Sequence, residues 1–290
     1  MAAGVEVGLI RTYSNNIMLA VQQLDTILTP SVHIKPDCSG EMAFQEQLNT
    51  SEAREKTARN QTVVNDDPQY NRRKIVPRYF YKAPLIDKMD KLMLVKDPTN
   101  ENVQSNAGAL ARARDGVIAT AFFATAYSGK DGTDSNTLAS LDSGANVIAA
   151  GSAGLTLTKL RAAITRLNKK SVPTTDRHCA HSATQLSDLL GDSTLTSEDF
   201  NSVKALVDGQ VNHFLGLTFH MTEKMPKSST TRQCAVYHRT GMCLGIWLDL
   251  MTSIDIMPGI HFSAQVYAGQ SYGATRLEEE KVVEVDCYEA

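Results

Sequence analysis

The stretch that decides the fold runs over residues 105–127 and reads SNAGALARARDGVIATAFFATAY. It holds eight alanines, and alanine has the highest intrinsic helix propensity of all residues. Its large apolar residues are Leu110, Val117, Ile118, Phe122 and Phe123. The stretch therefore predicts a long helix whose small residues let other elements pack closely on both sides. Gly129 and Gly132 predict a turn just after it.

A second helical pattern lies toward the N-terminus and covers residues 6–28. Its apolar side chains recur at steps of three and four residues, at Ile10, Tyr13, Ile17, Val21, Leu24 and Leu28. Pro30 predicts the end of this helix. A helix with a single apolar stripe needs a partner surface that covers the stripe.

Between the two helices, residues 31–82 hold few large apolar side chains and many polar ones. Residues 61–64 and 75–81 favour strands, and Asp66-Asp67-Pro68 is a turn signal between them. The pattern predicts a long hairpin that projects from the body of the protein. Because an isolated two-stranded ribbon is only marginally stable, we expect this hairpin to lie on a neighbouring subunit.

The chain after the long helix mixes a few helices with many strands. Residues 128–154 predict a loop with a short strand at 147–148, and apolar spacing predicts helices at 157–168 and 199–209. Alternating polarity predicts strands at 215–222, 234–238, 242–248, 262–268, and a last strand with Val283, Val285 and Cys287 on one face. Long helices followed by a mostly antiparallel sheet indicate the α+β class.

The overall composition excludes several classes of protein. The formal net charge is −3 and the isoelectric point is about 6.2, which argues against a protein that neutralises nucleic acid. No run approaches the roughly 18 apolar residues of a membrane span. The first ten residues do not have the pattern of a signal peptide. The cysteines, an odd and dispersed set, predict reduced thiols: Cys38, Cys179, Cys234, Cys243 and Cys287.

The sequence predicts no catalytic, cofactor-binding or metal site. His178-Cys179-x-His181 and Cys234-x-x-x-His238-x-x-x-x-Cys243 are too irregular for a structural zinc site, and strand alternation predicts that Cys234 and Cys243 are buried. The glycine-rich residues 144–154 lack the Lys-Ser/Thr pair of a phosphate-binding loop. No nucleophile-elbow pattern is present. The sequence therefore favours a protein that is not an enzyme.

Five stretches, in their order along the chain, resemble the coat proteins of tailed bacteriophages with the Hong Kong 97-type fold. They are Gln22-Gln23 with the N-terminal helix; Asn71-Arg72-Arg73-Lys74, Tyr79-Phe80-Tyr81, 85–90 and Asp97-Pro98-Thr99; 109–115 with the alanine-rich helix and 128–132; 207–211 and 215–217; and Tyr272-Gly273-Ala274-Thr275-Arg276 through residue 285. Together they cover nearly the whole chain, and the ordered set is more specific than any single member.

This resemblance implies the domain organisation of a major capsid protein. It implies an N-terminal arm at 1–30, an extended β-hairpin loop at 31–82 and an axial domain at 181–270 that is rich in strands. The peripheral domain would take 83–180 and 271–290 and would be built on the spine helix near 105–127. With the arm beginning so early, no cleaved scaffolding segment is expected.

The resemblance also implies partners and a location. Copies of the chain would form the hexamers and pentamers of an icosahedral shell around double-stranded DNA, without sequence-specific DNA binding and without a membrane. A separate scaffolding protein, a portal and decoration or cement proteins would be further partners. The protein would assemble in the host cytoplasm and reside in the virion.

A basic run and an acidic C-terminal segment supply the candidate contact residues. The basic run contains Arg72, Arg73, Lys74 and Arg78, and it is interleaved with aromatic residues. Residues 277–290 contain six acidic side chains against one lysine, and the acidic candidates are Glu278, Glu279 and Glu280. We expect the extended loop of one subunit to meet the acidic segment of the next.

Two alternatives to a shell protein stay open on the sequence alone. The basic and aromatic residues of 70–82 could stack on nucleic acid, which would suit a nucleic-acid-binding or DNA-packaging accessory protein. An unrecognised hydrolase is the other alternative, and no constellation of residues supports it.

Overall fold

The computed structural model of the 290-residue chain describes residues 23–49, 51–63, 65, 67–87, 99–139, 146–191 and 213–289. Three α-helices lie in these ranges: α1 (Thr99–Phe123), α2 (Leu157–Lys169) and α3 (Ala183–Leu190). None of these helices is long and apolar enough to cross a membrane.

The same ranges contain sixteen strands. They are β1 (His33–Lys35), β2 (Ala43–Leu48), β3 (Tyr70–Ile75), β4 (Arg78–Lys82), β5 (Leu85–Ile86), β6 (Ala126–Ser128), β7 (Asp134–Asn136), β8 (Val147–Ile148), β9 (Arg177–His181), β10 (His213–Phe214), β11 (Leu217–Met221), β12 (Lys227–Ser228), β13 (Thr231–His238), β14 (Met242–Met257), β15 (Ser263–Arg276) and β16 (Val282–Tyr288). This mixture of helices and sheets confirms the α+β class.

The described residues fall into two compact units. The first contains 23–25, 79–87, 99–112 and 249–270, and the second contains the described residues of 26–78, 113–248 and 271–289. The assignment of peripheral and axial domains stays a prediction.

The second unit contains a seven-stranded sheet with the strand order β10-β11-β9-β13-β16-β8, in which β12 also pairs with β13. β13 and β16 run antiparallel, from Thr231 opposite Tyr288 to Tyr237 opposite Val282. This pairing joins segments that the resemblance assigns to different domains. One face of the sheet buries its apolar side chains against α2 and α3, and its members include Cys179, Cys234, Val283, Val285 and Cys287. The predicted apolar face of the last strand is therefore confirmed.

Helix α2 confirms the helix predicted at 157–168, and a buried lysine attaches its first turn to the sheet. Thr156 caps the helix by accepting a hydrogen bond from the backbone N–H of Lys159. The Nζ atom of Lys159 donates to the carbonyls of Ala150 at 2.7 Å, Ala153 at 2.6 Å and Asp286 at 2.8 Å. Lys159 is 9% exposed. Because three acceptors satisfy an ammonium group, this side chain can be buried, and it ties the loop at 150–153 to β16.

Helix α1 differs from the predicted helix at 105–127 because it begins earlier and ends earlier. Residues 126–128 form β6 instead, which pairs with β7. At the C-terminal end of the helix, Arg276 donates from Nη1 to the carbonyl of Phe122 at 2.7 Å and from Nη2 to the carbonyl of Asn136 at 3.0 Å. Arg276 thereby satisfies one of the carbonyl groups that a helix end leaves without an internal partner.

Residues 6–22 of the helix predicted at 6–28 lie outside the described residues. For residues 23–28 the prediction is wrong, because these residues are not helical. The carboxylate of Asp115 in α1 accepts the backbone N–H of Ile27 at 2.9 Å and of Leu28 at 3.2 Å. These hydrogen bonds hold the segment in a non-helical conformation, and a 3-10 turn at Thr29–Ser31 follows. The helix predicted at 199–209 also lies outside the described residues.

The polar segment forms a hairpin, as predicted, but its strands lie at different positions. β2 pairs with β3, from Ala43 opposite Ile75 to Leu48 opposite Tyr70. Residues 61–63, predicted to be a strand, have no strand conformation. The run predicted at 75–81 is divided between the end of β3 and β4. These two strands belong to different sheets, with the orders β2-β3-β6-β7 and β1-β14-β15-β4, and β5 pairs with β15.

Candidate interaction surfaces

The outer part of the hairpin is fully exposed. All described residues of 51–69 are exposed, and the last backbone hydrogen bond before this part runs from the Asn49 N–H to the Gln69 carbonyl at 2.9 Å. Apolar side chains at this end also face solvent, with Leu48 62%, Val63 84% and Tyr70 74% exposed. Such a ribbon does not bury its own apolar surface, so it is suited to contact another surface.

The base of the hairpin is held by a small apolar cluster. Ala43 and Ile75, a cross-strand pair, pack with Cys38, Cys243 and Leu277. Nearby, Nε1 of Trp247 donates to the carbonyl of Gly40 at 2.9 Å. Gly273 lets the backbone of β15 lie against that of Val76, because a Cβ atom at position 273 would clash with the Val76 carbonyl oxygen. The base is therefore packed tightly, in contrast to the tip.

A buried ion pair fixes the same base. Nη2 of Arg73 donates to Oε2 of Glu279 at 2.5 Å, and the two side chains are only 6% and 8% exposed. The backbone carbonyl of Glu279 accepts a hydrogen bond from Nδ2 of Asn146 at 2.9 Å. Arg276 is fully buried close by, and burial lowers its pKa to about 10, while the charge of Glu279 acts in the opposite direction. Arg276 therefore remains a cation at neutral pH.

The other predicted contact residues lie at or near the surface of the same unit. Arg72 pairs with Glu46 across the hairpin at 3.0 Å and lies over the ring of Phe44, with its guanidinium carbon 5.5 Å from the ring centroid. Arg78 is exposed and Lys74 is half-buried.

Glu278 and Glu280 pair within the chain as well. Glu278 pairs with Lys281 at 2.6 Å, and Glu280 pairs with Lys170 at 2.8 Å. The structure thus brings the basic run and the acidic segment together at one point within a single chain, Arg73 with Glu279. A contact of these residues between subunits stays a prediction.

A second exposed apolar surface lies in the first unit and was missed at the sequence level. β14 continues to Met257, well beyond the strand predicted at 242–248. Large apolar side chains along its far end and the following turn are 46–63% exposed: Leu250, Met251, Ile254, Ile256, Ile260 and Phe262. Leu250, Thr252, Ile254 and Ile256 recur at steps of two residues, as side chains on one face of a strand do. This spacing is the signal in the sequence that predicts the extension. This many exposed large apolar side chains in one segment favours a site of interaction.

The cysteines are all buried and free, which confirms the burial predicted for Cys234 and Cys243. Burial raises the pKa of Cys243 to about 12, so this thiol is neutral at physiological pH and is not a nucleophile. Among the residues that the structure describes, no three His, Cys, Asp or Glu side chains are grouped so that they could hold a metal ion.

Comparison with known proteins gives a family and a fold. A family model described as phage capsid protein matches residues 5–289. The chain is similar in structure to a capsid protein of the cyanophage P-SCSP1u, with a TM-score of 0.77, 15% identity and coverage of 100% of this chain and 96% of that chain. For the capsid of Ralstonia phage GP4 the TM-score is 0.75, with 8% identity and coverage of 100% and 98%.

A third similar structure comes from Mycobacterium phage Che8, with a TM-score of 0.71, 15% identity and coverage of 96% of both chains. At these levels of identity, the likeness to solved structures establishes the fold. No curated protein matches the chain in sequence.

Proposed function

The chain belongs to the phage capsid protein family and is a shell-forming subunit of the virion, and we propose that it builds an icosahedral head of hexamers and pentamers around double-stranded DNA. This family and this fold are those of structural proteins, and we propose that the chain has no enzymatic activity. The family match does not favour the alternative of a DNA-packaging accessory protein. The charge pattern agrees with this, because Arg72 and Arg73 are already paired with carboxylates.

The exposed hairpin is the observation that supports the proposed assembly mechanism. Its base is fixed by packing and by the Arg73–Glu279 pair, whereas every described residue from 51 to 69 faces solvent. A rigid base with an uncovered tip suits a contact that is completed by the next copy of the chain. We therefore assign the hairpin tip to a contact between subunits.

The apolar far end of β14 is the second proposed contact surface. Apolar side chains of this size are stabilised by about 1.5–3 kcal/mol each when they are fully removed from water. Six of them are exposed between Leu250 and Phe262. Heterologous contacts between different surfaces of identical subunits form closed rings, and several weak contacts per subunit together stabilise a shell.

The charged residues of the two predicted segments have separate proposed roles. Arg73 and Glu279 position the hairpin from within the chain. Lys74, Arg78 and Glu280 are accessible at the surface and are the members of the predicted set that we propose for electrostatic contacts between subunits. Such contacts steer association and weaken with salt, since exposed charges are screened over about 8–10 Å at physiological ionic strength.

The remaining partners are proposed on the basis of the family. A shell that is filled with DNA by other components does not need a basic surplus, and the net charge of −3 is consistent with that arrangement. A separate scaffolding protein, a portal and decoration or cement proteins are the proposed partners, and the host cytoplasm is the proposed site of assembly. We also propose that the two units correspond to parts of peripheral and axial domains.

The test is to shorten the hairpin without disturbing its base. Residues 50–68 are replaced by Asn-Gly, because the hydrogen-bonded pair Asn49 and Gln69 can flank a two-residue turn of type I′. We expect a folded subunit with a thermal midpoint close to that of the unaltered chain, since the removed residues that the structure describes are exposed. We also expect it to form no regular shells in negative-stain electron microscopy.

A matched control separates a lost contact from a general effect of sequence change. Glu52→Ala, Arg54→Ala and Lys56→Ala together alter three exposed charges of the tip and retain its length. If length and backbone of the tip carry the contact, this variant assembles at moderate salt. Regular shells from the shortened variant would refute the assignment of the hairpin, whereas the membership in the capsid family would stand.

A further inference from the structure

Two histidines on neighbouring strands place one ring nitrogen of each close together. His178 lies in β9 and His220 in β11, and these strands run parallel with His178 opposite Thr218 and Ala180 opposite His220. The two imidazoles are therefore diagonal neighbours on one face of the sheet. Nε2 of His220 lies 3.1 Å from Nδ1 of His178, and the ring centroids are 5.1 Å apart.

The pair lies on the face of the seven-stranded sheet opposite the apolar core, beside the ring of Tyr237, whose centroid is 5.6 Å from that of His178. Cys179 and Phe219 alternate with the two histidines and point into the apolar core on the other face. His178 and His220 are both half-buried. The second ring nitrogen of His178, Nε2, is buried without a hydrogen-bond partner among the described residues. The contact with His220 is thus the polar contact that orients the His178 ring.

The distance between the two nitrogens fits a shared metal ion. Imidazole nitrogen binds divalent transition metals at about 2.0–2.1 Å, so two nitrogens 3.1 Å apart subtend an angle of about 95–102° at the metal. This angle lies between the ideal octahedral and tetrahedral values of about 90° and 109°. The separation of the two nitrogens therefore already matches that of two ligands on one ion.

We propose that His178 and His220 form a two-imidazole site for a divalent transition-metal ion of the Cu²⁺, Ni²⁺ and Zn²⁺ class. Imidazole is a preferred ligand of these ions. No third His, Cys, Asp or Glu of the described residues completes the group, so water would have to supply the other ligands of a bound ion. The charge of Asp176 attracts a cation at His178, and the charge of Arg239 opposes it. A bound ion would link β9 to β11, and this role is independent of the proposed contacts between subunits.

The test is a titration of the full-length, untagged chain with CuCl₂, NiCl₂ and ZnCl₂, and binding is measured by isothermal titration calorimetry. One site per chain is expected, with Cu²⁺ bound most tightly, as the usual order of divalent affinities requires. His178→Ala and His220→Ala should each raise the Kd by at least about tenfold, since each removes one of two protein ligands. The Cu²⁺ electron paramagnetic resonance spectrum should show coupling to two nitrogens in the unaltered chain and to one in each variant.

His33→Ala and His213→Ala are the matched controls, because both residues are exposed strand histidines. Their Kd values should equal that of the unaltered chain. His220→Gln serves as a second, more conservative variant if an alanine variant does not fold by circular dichroism. The proposal is overturned if the unaltered chain binds no more tightly than the variants at 178 and 220, or if the control variants lose as much affinity. In that case the 3.1 Å contact is an N–H···N hydrogen bond only.

Discussion

Replacement of Glu279 by Gln removes the carboxylate that pairs with Arg73 under the hairpin. The two side chains are 6% and 8% exposed and meet at 2.5 Å, so the guanidinium of Arg73 would be left buried without a counter-ion. Arg276 is fully buried nearby and feels the charge of Glu279. The substitution therefore leaves two buried cations where three charges had partly balanced each other.

The expected magnitude follows from this burial. Removal of one partner of a buried ion pair typically costs about 3–5 kcal/mol, because the remaining charge stays desolvated. With an entropy of unfolding of about 2.1 cal/mol/K per residue, a chain of 290 residues loses roughly 5–8 °C of Tm for such a change. The backbone contact of Asn146 with the carbonyl of Glu279 is retained, so the loss is assigned to the side chain.

The assay is thermal unfolding of unassembled subunits by circular dichroism at a fixed protein concentration, since association would shift the midpoint. Glu278→Gln is the matched control, because its pair with Lys281 is partly exposed and contributes less than about 1 kcal/mol. The double variant Arg73→Met with Glu279→Leu should be close to the unaltered chain, since apolar replacement of a whole buried pair is often neutral. A Glu279→Gln variant within about 1 °C of the unaltered chain, or a double variant worse than the single one, would refute the reasoning.

Three further predictions concern stability. Lys159→Met leaves three part-buried carbonyls without their donor and should cost about 1–3 kcal/mol in urea unfolding, whereas Lys169→Met on the exposed side of the same helix should have no measurable effect. Gly273→Ala places a Cβ atom against the backbone of the hairpin base and should cost about 1–3 kcal/mol or more, whereas Gly259→Ala, with open space around it, should be tolerated in the same assay. Burial raises the pKa of Glu284, and the charge of the neighbouring Asp286 raises it further. Ionisation of Glu284 therefore destabilises the folded state as the pH rises through that raised pKa. Glu284→Gln should raise Tm at pH 7.5 and leave it unchanged at pH 4.

Elements with a buried stripe could be predicted from the sequence because their pattern is local. The helix expected at 157–168 is observed at Leu157–Lys169, with Leu157, Leu160 and Leu167 buried. The last strand buries Val283, Val285 and Cys287 as its alternation predicts. Glu284, on the opposite face, is only 8% exposed, so both faces of the strand are covered there.

The strands of the hairpin could not be located in the same way, and the physical reason is their exposure. β2 reads AFQEQL and β3 reads YNRRKI, and neither alternates because neither buries a continuous face. Their register is set by backbone hydrogen bonds and by contacts such as Arg72 with Glu46. The more apolar runs 61–64 and 75–81 therefore resemble strands more than β2 and β3 do, although 61–63 form none and 75–81 is divided between β3 and β4.

The position of the N-terminal segment depends on a tertiary contact that no local pattern contains. Residues 23–28 continue a helical spacing of apolar side chains, but the carboxylate of Asp115 accepts the N–H groups of Ile27 and Leu28. These hydrogen bonds link residues 88 and 87 positions apart. The same holds for Arg73 and Glu279, which are 206 positions apart. The charge pattern indicates that the basic and acidic segments attract each other. Which of their residues pair within one chain, as Arg73 and Glu279 do, depends on the fold.

If the hairpin tip forms the proposed contact between subunits, that contact can bury a large area and still contribute little free energy. Beyond the Asn49–Gln69 hydrogen bond, the contacts within the described part of the tip include the Thr57 N–H to Oε1 of Gln61 at 3.0 Å, between exposed residues. Ordering one residue costs about 1–2 kcal/mol, so fixing a dozen tip residues against a neighbour offsets much of the energy that their burial supplies. The surplus per contact is therefore small. A subunit held by one contact dissociates readily, whereas a subunit held by several is retained, and misplaced copies can leave before the shell closes.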